Sequence, residues 1–146
     1  MKKINVLYLL LFVIITSCDS DDGDNVITDS IIGQWQLNSI VFGLGPDEEP
    51  LDECEHLQIY EFKQNNTLNL FFDPSTFCDT NTITLNYALD GNILTTENDL
   101  GGETYSVTNN IQILNSTTLK FIAVSNNIDG DLPPSNRVTF TYTRLE

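Results

Sequence analysis

Positive charge is what this chain has least of. Six lysines and arginines stand against 21 aspartates and glutamates, a formal net charge of −15. A surface of that sign repels phosphate backbones, which argues against nucleic acid as a partner, and it repels anionic lipid headgroups as well. Any membrane contact therefore needs a covalent or hydrophobic reason. Histidine occurs once, at His56, tryptophan once, at Trp35, and cysteine three times. No zinc-type ligand spacing surrounds His56, and no serine or threonine lies in a nucleophile-elbow sequence. A Gly-rich turn able to hold an oxyanion is also missing, so a Cys–His nucleophile pair has no supporting groups. The 21 acids guarantee some carboxylate pairs by chance and so point to no sugar-cleaving site. The expectation is a protein that is not an enzyme and has no cofactor or metal. Two further absences concern shape. No apolar run approaches the roughly 20 residues that cross a bilayer as a helix, and no segment sustains helical spacing.

What is present begins with the first seventeen residues. Lys2 and Lys3 precede an apolar run from Val6 to Ile15. About ten apolar residues behind a basic start read as a signal peptide, residues 1–17, rather than as a retained span. Its removal takes Lys2 and Lys3 and moves the formal charge from −15 to −17. The residues that end it, Ile15-Thr16-Ser17-Cys18, resemble the lipobox of bacterial lipoproteins. The resemblance implies that Cys18 becomes the mature first residue and carries three acyl chains. Each buried methylene contributes about 0.8 kcal/mol and stable attachment needs about two chains, so the protein should stay on its membrane.

Residues 18–30 then read as a lipidated acidic tether. The stretch "DSDDGDNVITD" is rich in acids and poor in apolar mass, and cannot support a core. Fully extended, residues 19 to 29 reach at most about 36–40 Å. The acidic run is similar to the surface-export signal of lipoproteins from Bacteroidetes-type bacteria, which implies an outer-membrane, outward-facing protein; a merely solvated spacer has the same composition. Asp29-Ser30-Ile31 resembles the acceptor that those bacteria O-glycosylate, which would place a glycan on Ser30.

From Ile31 to Glu146 the chain is a series of short alternating segments separated by turn signals. Eight strands are expected, over residues 33–42, 56–63, 67–73, 82–89, 92–97, 104–114, 118–124 and 136–144. Asn65-Asn66 and Asp90-Gly91-Asn92 tolerate positive φ and should close hairpins, and Pro133-Pro134 should stop any ladder. Trp35, Leu37 and Val41 share one face of the first strand; Ile83, Leu85, Tyr87 and Leu89 share one face of the fourth. Val138, Phe140 and Tyr142 share one face of the last. One apolar and one polar face per strand predicts an antiparallel all-β domain. A single eight-stranded up-and-down barrel fits, and a β-sandwich fits almost as well.

Three stretches resemble lipocalin-like domains and favour the barrel. Gly33-Gln34-Trp35 matches their first-strand Gly-x-Trp. Tyr87 and Gly91 in "YALDGNILTTE" keep the spacing of their central hairpin, and "EFKQNNTLNLFF" matches their phenylalanine–turn–threonine hairpin with Asn66 where glycine is usual. The resemblance covers about residues 31–146 and is nearest to the small lipocalin-like domains in lipoproteins of Bacteroidetes-type bacteria. It implies that Arg144 lies over Trp35 and, with Gly33, closes one end of the barrel. It also implies a barrel binding a small apolar or amphipathic ligand, lined by Trp35, Tyr60, Tyr87 and Tyr142. The alternative is an interior packed with its own side chains and an outer surface that meets a protein or glycan partner.

Two loops carry the remaining chemistry. In an exported protein Cys54 and Cys78 favour a disulfide, worth roughly 3 kcal/mol for a loop of that size. Its rival is a metal held by Cys54, His56 and Cys78. The loop "GLGPDEEPLDECEH" holds six acids but lacks EF-hand spacing, and reads as a solvated loop.

Overall fold

The computed structural model describes residues 26–45, 47–52, 54–72 and 81–146. In chain order the strands are β1 (Val26–Ile27), β2 (Gly33–Phe42), β3 (Ile59–Phe62), β4 (Thr67–Phe72), β5 (Asn81–Asp90), β6 (Ile93–Leu100), β7 (Glu103–Leu114), β8 (Thr118–Asn126), β9 (Gly130–Asp131) and β10 (Val138–Arg144). Two 3-10 turns, Glu55–Leu57 and Pro134–Asn136, complete the described elements. Strands β2 to β8 and β10 pair antiparallel in sequence order, and β10 pairs with both β8 and β2. With the β7–β8 ladder this circuit is closed, so the domain is an eight-stranded antiparallel barrel. The sandwich alternative fails because no break separates two sheets.

The hairpins form where side chains tolerate the backbone. Asn66 has φ 62° between β3 and β4, and Gly91 has φ 59° between β5 and β6. Two strands start later than the alternation predicts, each for a local reason. The segment expected from residue 56 first makes a 3-10 turn, because Asp52 Oδ1 accepts the Cys54 and Glu55 amides at 2.8 and 2.7 Å. Glu55 answers by accepting the Asp52 amide at 2.9 Å, so two of the loop's acids act as reciprocal caps. The segment expected from residue 136 is delayed by Pro133 and Pro134, which begin the second 3-10 turn.

Register slips occur in two strands, and in β2 the slip corrects the face assignment. Between Leu37 and Ser39 of β2 the pairing with β10 shifts, which turns Ile40, not Val41, toward the interior opposite Phe140. In β7 a shift between Ile111 and Ile113 moves the inward phase from Ile111 to Leu114. Residues assigned above to the tether also join the barrel. β1 runs parallel to β7, Val26 beside Ile113 and Ile27 beside Leu114, and the Thr28 amide donates to Leu114 O at 2.8 Å.

The core gathers Trp35, Leu37, Phe62, Leu68, Leu94, Ile111, Leu114, Leu119, Phe121 and Tyr142. Most of these lie toward one end, where β2 begins and β10 finishes. The opposite end, where β2 finishes and β10 begins, carries the long loop from Gly43 to Gln58 and the loop from Asn127 to Arg137.

Candidate ligand-binding cavity

The closed end is built around Trp35. Its ring is fully buried and its Nε1 donates to Ile31 O at 2.7 Å, pulling the entering chain across the barrel base. Arg144 is the register partner of Trp35, and its guanidinium carbon lies 4.1 Å from the Trp35 ring centroid. The same guanidinium donates through Nη1 to Ile32 O at 3.0 Å and through Nη2 to Ser30 O. Gly33 makes room for it. With φ +135°, its missing Cβ would sit 3.1 Å from Arg144 Nη1.

Above this base lies an aromatic layer. Tyr60 stands 4.7 Å from Tyr142 by ring centroids, and Phe121 stacks on Tyr142 at 5.6 Å with 17° between the planes. Phe62 meets Tyr87 edge-on at 5.1 Å. The polar tips are satisfied. Tyr142 donates to Gln58 Oε1 at 3.2 Å, and Tyr87 donates to Lys63 O at 2.8 Å. Burial pushes the Tyr60 phenol pKa up, opposed in part by a hydrogen bond with Tyr142. Tyr142 is pushed well above its ordinary value, by burial first and then by the charge and hydrogen bond of Tyr60.

The interior also encloses empty space. A half-open cavity of about 350 Å³ lies between the aromatic layer and the loops. Leu70 of β4, Ile83 and Leu85 of β5, and Val138 and Phe140 of β10 make its apolar walls. Thr96 and Asn98 of β6, beside Val107 and Tyr105 of β7, border the cavity together with Asn109, and Ala123 of β8 leaves space opposite Asn109.

Of the four aromatics expected to line a ligand site, Tyr60 borders this cavity. Trp35, Tyr87 and Tyr142 do not. They sit at the closed end and in the layer beneath, where burial of the whole ring leaves no free face. Sequence reasoning passed over Thr96, Asn98 and Asn109. The available signal was a polar residue at an inward position: Asn109 alternates in phase with Val107 and Ile111.

The mouth is rimmed by exposed apolar side chains, Phe42, Leu44, Leu57 and Ile128, set among the acids of the Gly43–Gln58 loop. Asn127 holds the second mouth loop to β7, accepting the Ser106 amide at 2.9 Å and donating to Thr104 O at 2.6 Å. Leu51 turns back against the core. His56 is exposed on its 3-10 turn and does not reach the cavity. Among the described residues no three His, Cys, Asp or Glu side chains converge as metal ligands. Cys54 begins the same turn; the expected partner Cys78 lies outside the described residues, as do Cys18 and the leader.

A closed eight-stranded barrel with a first-strand Gly-x-Trp under a last-strand arginine, and a cavity in its interior, defines a lipocalin-like architecture. The family model described as a lipocalin-like domain matches residues 31–121, and the chain belongs to that family. No curated protein matches the chain by sequence. Among solved structures, an uncharacterized protein from Bacteroides eggerthii aligns with TM-score 0.53 and 12% identity, covering 80% of this chain and all of that one. A point mutant of the fluorescent protein UnaG aligns with TM-score 0.41 and 15% identity, covering 80% of this chain and 96% of that one.

Proposed function

We propose that this protein is an exported lipoprotein whose barrel holds a small apolar or amphipathic molecule near the bacterial outer-membrane surface. The observation that carries the binding part is the cavity: about 350 Å³, apolar-walled and half-open, within the range of small-molecule sites. The same empty volume weighs against a barrel packed with its own side chains. Binding rather than catalysis fits the mostly apolar wall, which Glu97 borders as its carboxylate residue and which His56 does not border. The lipobox-like residues before Cys18 and the acidic run behind it support the anchor and its outward address. A Cys54–Cys78 bridge would tie the β2–β3 loop to the segment that follows β4. Ser30 is exposed, as a glycan acceptor must be.

Native mass spectrometry of the purified protein tests the binding reading. A co-purifying small molecule is expected, and Ala123→Phe, which fills the cavity from β8, should expel it while leaving the barrel folded. Retention of the molecule by that variant would place it elsewhere. The anchor is tested by Cys18→Ser, which should move the protein from the membrane fraction to the soluble fraction.

A further inference from the structure

We propose that the cavity selects uncharged amphiphiles with a hydrogen-bond donor in the head, an O–H or N–H, over amphiphiles headed by a carboxylate. The inference rests on the cavity being a ligand site, and it names what that site prefers. Asn109 is 5% exposed yet borders the cavity. Its Nδ2 donates to Leu94 O at 3.4 Å, and because a carbonyl can only accept, this contact sets the orientation of the amide. Oδ1 is thereby left as an acceptor that no donor from the described residues meets, and it is not sealed off, since Arg144 Nε is the buried side-chain atom without a partner among the described residues. A ligand that fills the cavity takes this acceptor out of water, which is unfavourable unless the ligand supplies a donor in return. Ala123, the cross-strand neighbour of Asn109 on β8, leaves room for one. Thr96 and Asn98 extend the same strip, and their side chains likewise make no hydrogen bond to the described residues.

The cations are elsewhere. Lys63 pairs with Glu61 at 3.3 Å beside the β3–β4 turn, and Lys120 points outward between the inward Leu119 and Phe121. Arg137 Nε donates to Leu132 O at 3.0 Å, and Arg144 covers Trp35 at the far end. Glu97 borders the cavity from β6, but its register with Ser106 and Asn86 points its carboxylate outward, away from the side of Thr96 and Asn98. A carboxylate headgroup would therefore be buried beside an acceptor with no counter-charge, after crossing a mouth rich in acids.

The test is displacement of the neutral fluorophore N-phenyl-naphthylamine from the purified protein by decanol, its donor-free isomer nonyl methyl ether, and decanoate. Decanol should compete roughly tenfold more strongly than either of the others. Asn109→Leu should bring decanol down to the level of the ether. Decanoate competing as well as decanol would overturn the headgroup preference and leave the cavity reading standing. An undiminished advantage of the alcohol in Asn109→Leu would overturn the role of Asn109. Should that variant not fold, the ranking on the native chain decides the preference alone. No fluorophore uptake at all would overturn the cavity reading together with the inference built on it.

Discussion

Arg144 combines three tasks in one side chain: it covers the Trp35 ring, and it donates to two carbonyls of the chain entering the barrel. A cation–π contact contributes about 0.5–2 kcal/mol and each hydrogen bond about 1 kcal/mol. Arg144→Ala should therefore lower stability by about 2 kcal/mol, seen as a drop in Tm of several degrees. Arg144→Lys should restore part of it, since a point-like ammonium cannot span both carbonyls. Gly33→Ala should be destabilising by about 1–3 kcal/mol, because φ +135° is strained for alanine and its Cβ would press on Arg144 Nη1. The double variant should lose less than the sum, since removing the guanidinium removes the clash. Additive losses in denaturant titrations would show that the two residues act separately.

At the scale of elements, the aromatic layer joins β3, β8 and β10 through Tyr60, Phe121 and Tyr142. Both phenols have raised pKa values when folded, chiefly by burial. The unfolded chain releases these protons first, near pH 10, while the folded barrel still retains them. Stability contributed by the pair is thus complete below about pH 10 and falls as pH rises further. In alkaline titration the tyrosinate signal of this pair should emerge together with loss of β-sheet circular dichroism, and Tyr142→Phe should reduce the steepness of that loss. Ionisation of the pair well before unfolding would contradict the buried geometry. Hairpin positions were legible at this scale, because Asn65-Asn66 and Asp90-Gly91 carry their turn chemistry locally. The late start of β3 was not: the alternation continues through His56, whereas Asp52 and Glu55 cap a 3-10 turn there. Nor were the register shifts in β2 and β7, since a bulge depends on the neighbouring strand.

At the scale of the whole molecule, charge is the dominant feature. A formal net charge of −15, with few cations to offset it, makes the compact state repel itself. Salt screens such repulsion over about 10 Å at 0.1 M ionic strength. Raising sodium chloride from low to moderate concentration should therefore raise Tm, and a falling Tm would show that attractive surface pairs matter more than the net charge. The loop acids cluster at the mouth, so the same screening should speed the entry of anionic probes more than of neutral ones.

The amino-acid sequence by itself determined the all-β class, the eight barrel strands and their hairpin turns, while the contact of Arg144 with Trp35 was implied by the lipocalin-like resemblance. Each follows from local propensity, from alternation or from a short motif, and none needs a distant contact to be read. It also supplied the grounds for expecting a lipid at Cys18. Tertiary structure decided which inward residues pack and which face empty space. Trp35, Tyr87 and Tyr142 look as suited to a ligand as Tyr60 does along the chain. Closure of the barrel packs those three against Arg144, Phe62 and Phe121 respectively, while Thr96, Asn98, Asn109 and Ala123 border the cavity. Cavity is volume that no side chain reaches, and volume is fixed by the distances between strands rather than by the order of residues within one.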